Sequence, residues 1–178
     1  MGAARPRARI TRVLTPTPMR TDLLTIYLND HLAGAALAIS VMKRCARSNE
    51  GTPLAATLRG IVAEVEGERR VILGVLHDLG GRLNPVKQAG AWVAEKLGRG
   101  KLNGSLVSYS DLSRLEEVEG LLLGVRGRLA LLQALQLVAE ETGTLGDVDF
   151  EGFKQQAALQ LEQLETHRRE AARRAFLG

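Results

Sequence analysis

Aromatic residues are nearly missing from this chain of 178 residues: one Trp, two Tyr and three Phe make up 3% of it. Stacking platforms for nucleic-acid bases are therefore scarce. A single cysteine, Cys45, excludes an internal disulfide framework and any zinc site built from CxxC pairs. Of five prolines, Pro6, Pro16 and Pro18 fall in the first 18 residues, so almost nothing breaks a helix further on. The basic start lacks the apolar segment that a secretory signal requires. No uninterrupted 18-residue apolar run occurs either. Leu32–Met42 is too short to span a bilayer, and Leu121–Val138 is broken by Arg126 and Arg128. The expectation is a soluble, cytoplasmic protein.

What remains is rich in Leu, Ala and Val, with 45% hydrophobic and 25% charged residues. That composition is enough for one folded domain and favours helices. The net charge of +4 is unevenly placed. Residues 1–18 carry Arg5, Arg7, Arg9 and Arg12 without an acid, and residues 82–101 are also basic, which leaves the body mildly acidic. Residues 1–20 read as a disordered basic extension, with an organelle transit peptide, or a natural start at Met19, as the alternatives. Residues 21–178 read as the folded domain.

Four helix-period patterns follow. The first runs from about Asp22 to Arg47, with Leu24, Leu28, His31, Ala35, Ala38, Met42 and Cys45 on one stripe. The second opens with Thr52 as N-cap and Pro53 in the first turn, and Gly80-Gly81 ends it. Its stripe is Leu58, Ile61, Val65, Glu68, Ile72, Val75 and Leu79. The third starts near Ser110-Asp111, or at Ser113 in a capping box with Glu116. Its stripe is either Leu115, Glu119, Leu122, Arg126, Leu129 and Gln133, or Val118, Leu122, Val125, Leu129 and Leu132. Gly143 and Gly146 end it. The fourth opens at Asp147 or Asp149 and carries Phe153, Ala157, Leu161 and Leu164 to about Phe176.

Short joins make helices one and two, and three and four, antiparallel neighbours. About thirty residues, 80–110, separate two from three, which is enough to cross the whole bundle. Within that crossover, Asn84-Pro85 and the spacing of Val86, Ala89, Val93 and Leu97 predict a short fifth helix to about Lys96, pinned by Trp92. The expected fold is all-α, a four-helix bundle with a long helix-containing crossover.

The hairpins Leu23–Arg47/Leu54–Leu79 and Leu112–Ala139/Phe150–Phe176, joined by that crossover, resemble the ferritin-like superfamily over about 155 residues. The stretches YLNDHLAGA (27–35) and VKQAGAWVAEKLGRGKLNG (86–104) look like those of uncharacterised bacterial ferritin-like proteins. The resemblance implies a di-iron centre with storage, oxidase or oxygenase chemistry. Such a centre needs two Glu-x-x-His pairs. Neither is present: Gly67 follows Glu64 at that spacing, Val71 follows Glu68, Glu165 follows Glu162 and Arg168 follows Glu165.

Four polar residues interrupt or border the stripes and are the candidate metal ligands: His31, Glu68, Glu119 and His167. Helix levels pair His31 with Glu68 and Glu119 with His167, on the order of 15 Å apart at 1.5 Å per residue. Two buried His–Glu hydrogen bonds, a mononuclear iron, manganese or zinc site, and a small-molecule site are all open to these pairs. Gly60, Gly67 and Gly74, with Gly120, Gly124 and Gly127, suggest close packing between helices two and three or across a dimer. They form no phosphate loop, since no strand precedes them and no GK[ST] follows. No nucleophilic triad can be assembled from three histidines and one cysteine.

The sequence thus points to a non-catalytic bundle, without a required cofactor, that acts as a homo-oligomer or through a partner. The alternatives are a degenerate metalloprotein or oxidoreductase, and a binder of nucleic acid or anionic surfaces through residues 1–20 and 82–101.

Overall fold

The computed structural model describes residues 18–86 and 109–177. Residues 1–17 of the basic extension and most of the segment expected to form a fifth helix, with Trp92, lie outside the described residues. Four helices account for nearly all of the rest: α1 (Thr21–Ser48), α2 (Pro53–Asp78), α3 (Asp111–Thr142) and α4 (Phe150–Leu177). The described chain is all-α.

Capping chemistry sets the helix ends. Thr52 accepts a hydrogen bond from the amide of Ala55 at 3.4 Å, with Pro53 in the first turn of α2. Ser110, and not Ser113, caps α3 by accepting from the Ser113 amide at 3.1 Å. Ser113 lies buried one turn inside. Gly143 ends α3 in the left-handed region at φ 69°, where a residue without Cβ is unstrained. Asp149 opens α4 by accepting from the Gly152 amide at 2.8 Å.

Helix order in space follows from the contacts. Helix α1 packs on α2 and α3, and α4 packs on α3 and α2, so α1 faces α4 and α2 faces α3 across the diagonals. Arg44 near the end of α1 pairs with Glu117 near the start of α3, and Thr57 early in α2 meets His167 late in α4. Every neighbouring pair is therefore antiparallel.

Two apolar clusters fill the interior. The first, around Met42, Leu58, Ile61, Val65, Val118, Val125 and Leu164, lies where α2 and α3 begin. The second, around Leu28, Leu32, Ile72, Leu76, Leu132, Leu135 and Phe150, lies where they end. Each fully buried leucine contributes about 2 kcal/mol relative to leaving it in water.

Two sequence expectations change. The first of the two α3 faces is not the inner one: Glu119 and Arg126 are exposed, and Val118, Leu122, Val125 and Leu132 point inward. The helix glycines do not bring α2 and α3 together, because those helices oppose each other across a diagonal. A Cβ built on Gly60, Gly74, Gly120, Gly124 or Gly127 meets nothing within 4 Å.

Candidate functional site

The two apolar clusters are separated by a polar level. On α2, Glu68 stands between Val65 of one cluster and Ile72 of the other; on α3, Arg128 stands between Val125 and Leu131. Helix α1 passes this level with only Gly34, Ala35 and Ala38, and α3 with Gly124 and Gly127. Small side chains there leave a pocket of about 310 Å³ between α1, α2 and α3. Its walls are mostly aliphatic: Leu32, Met42, Ile61, Val65, Ile72, Leu121, Val125 and Leu131.

Its charged wall is built from the interior outward. Arg128 Nε lies 3.1 Å from Glu68 Oε2, with the two side chains 10% and 3% exposed. This contact is an ion pair whose geometry is not that of a hydrogen bond, and neither atom has a hydrogen-bond partner among the described residues. Arg69 Nε, on the same wall, is buried in the same condition. The other side of the Arg128 guanidinium donates to Gln160 Oε1 of α4, and Gln160 donates through Nε2 to Glu64. Gln160 is 1% exposed, so this chain Glu64–Gln160–Arg128–Glu68 threads the bundle from one turn of α2 through α4 and α3 back to the next turn.

Burial pushes the Glu68 carboxyl above its ordinary range, with the Arg128 charge opposing. Burial also lowers Arg128, against the pull of Glu68 and then Glu64. Both shifts have one cause: the interior solvates neither charge as water does.

The four sequence candidates separate. His31 and Glu68 share the pocket wall, with Asp30 beside them. The His31 ring stands edge-on to Tyr27 at 4.5 Å between centroids, and burial lowers its pKa against the raising influence of Asp30. Glu119 is exposed and pairs with Arg168 at 3.7 Å. His167 Nε2 shares a hydrogen bond with Thr57 Oγ1 at 3.0 Å. Among the described residues no three His, Cys, Asp or Glu side chains are grouped as a metal ion would require. At Glu68 the neighbouring cation is Arg128.

A second polar cluster fixes the chain where it re-enters the bundle. Asn49, buried at the end of α1, donates to Tyr109 Oη at 2.8 Å and accepts from Arg114 Nε at 2.5 Å. Tyr109 donates onward to Glu117 at 3.1 Å, which also holds Arg44 at 2.9 Å. Cys45 lies beneath, fully buried, and its thiol is pushed up to about 12, first by burial and then by Glu117. At the other end of the crossover, Asn29 of α1 donates to the Arg82 carbonyl at 3.1 Å and accepts from the Asn84 amide at 2.7 Å.

None of Arg128, Gln160, Asn29 and Asn49 was read from the sequence as a site residue. Comparison with known protein families, curated proteins and solved structures finds no match for this chain.

Proposed function

We propose that this protein is a non-catalytic helical bundle of ferritin-like architecture that works by association, first with a second copy of itself. The architectural part is supported by two antiparallel hairpins, their all-antiparallel packing, and the long connection from α2 to α3.

Association rests on one observation. Helices α1 and α3 are the two that are long and apolar enough by length and composition to cross a membrane, among the described residues, yet only 22% and 33% of their most apolar windows are buried. On α3, Leu123, Ala130 and Leu137 recur every seven residues on the exposed side, with the two leucines 67% and 58% exposed. Leu23 and Ile26 add half-exposed apolar surface on α1 at the end where Leu137 lies. Apolar surface repeated at this spacing suits a partner helix.

Light scattering behind size-exclusion should give twice the chain mass, and Leu123→Glu with Leu137→Glu should give the single-chain mass at unchanged helicity. A monomeric wild type at tens of micromolar would overturn the self-association. Flotation of the wild type with neutral lipid vesicles would instead assign the surface to a membrane.

A further inference from the structure

We propose that the pocket between α1, α2 and α3 binds a small, mostly apolar molecule carrying one neutral hydroxyl or amide group, seated against Glu68 and Arg128.

The size argument comes first. A pocket of about 310 Å³ is at the lower end of the range of small-molecule sites. An apolar cavity of about 150 Å³ takes up benzene, so twice that volume suits roughly a dozen heavy atoms. Space is present on both sides. A Cβ added to Gly34, Gly124 or Gly127 would touch nothing within 4 Å.

Polarity then selects the head group. Glu68 Oε2 offers an acceptor without a donor, and Arg128 Nε and Arg69 Nε are donors without an acceptor. A hydroxyl or amide both donates and accepts, so it can answer the carboxylate and a guanidinium together. A carboxylate ligand would meet Glu68 with like charge, and an ammonium would meet Arg128 and Arg69 in the same way. With Asp30 on the same wall, two acids face two arginines and the charges compensate each other, so a ligand with a net charge gains nothing there that a neutral one lacks, and it loses its hydration. This binding is independent of self-association, whose apolar surface is the outer side of α3.

The test uses 1-naphthylamine, a neutral amine of about a dozen heavy atoms whose short-wavelength emission rises in apolar surroundings, with the full chain. We expect saturable enhancement at one dye per chain. Displacement by 1-decanol should need at least tenfold less competitor than decanoate or decylammonium at pH 8. Gly127→Leu and, separately, Gly124→Leu put side chains into the open space of the pocket and should weaken dye binding at least tenfold at undiminished melting temperature. Leu123→Glu with Leu137→Glu should leave dye binding unchanged. No enhancement with the wild type, decanoate competing as well as decanol, or binding lost only in the Leu123/Leu137 variant would each overturn the proposal.

Discussion

Glu68 and Arg128 face each other across a diagonal of the bundle, 3.1 Å apart, on two helices whose backbones are not neighbours. The pair therefore joins α2 to α3 through the centre of the protein, with Gln160 of α4 closing the bridge to Glu64. A link of this kind is costly to break from one side, because it strands the surviving charge away from water.

Glu68→Leu and Arg128→Met should each lower stability by about 3 kcal/mol, and the double variant should recover to within about 1 kcal/mol of the wild type. Urea unfolding of the four proteins measures this cycle. Additive losses in the double variant would show that the two groups are not energetically paired.

His31 and His167 both have lowered pKa values through burial, so the unfolded chain takes up protons first as acid is added. Their contribution to stability is complete above the ordinary value of 6.5 and is lost as the pH falls through the lower folded values. Thermal melting should therefore drop between pH 7.5 and pH 5. The variant His31→Gln with His167→Gln should show a flatter profile over that interval.

With its thiol pushed up to about 12 and no exposure, Cys45 should resist a disulfide-exchange reagent at pH 8 in the native protein. In denaturant the reaction should be complete within minutes. A native-state rate near that of free cysteine would contradict the burial under Tyr109.

Glycine substitutions should separate by site. Gly60→Ala and Gly74→Ala lie in helix interiors with open space around the new methyl, and each should stabilise by about 0.5–1 kcal/mol. Gly81→Ala should destabilise, because its Cβ would fall 2.5 Å from Leu76 Cδ1 and within 3.0 Å of the Leu76 carbonyl oxygen. Chemical denaturation ranks the three.

Helix ends were legible because short-range chemistry writes them. Thr52-Pro53, Ser110 and Gly143 act on backbone groups within four residues, so nothing distant can override them. The inner residues of the site were harder. Arg128 continues the spacing Leu121, Val125, Arg128, Leu132, Leu135, and Gln160 continues Phe153, Ala157, Gln160, Leu164, so both sit on regular core stripes. Periodicity based on apolar residues passes over such positions, since a buried arginine is stable only with partners that sequence spacing does not reveal. His31 and Glu68 both line the pocket, but at the level of Glu68 helix α1 presents Gly34, Ala35 and Ala38, and the cation beside Glu68 comes from α3. The pocket itself is a sum of small residues on two helices, Gly34, Ala35 and Ala38 with Gly124 and Gly127, whose register against each other only the packed bundle defines.

Asn29 and Asn49 hold the outgoing and returning ends of the crossover on a single helix, twenty residues apart. The described chain on each side of the crossover therefore starts from residues already anchored to the same helix. Loss of the Asn29 side chain would release the outgoing end and loss of the Asn49 side chain the returning one, and either loss would leave the other end still tied to α1.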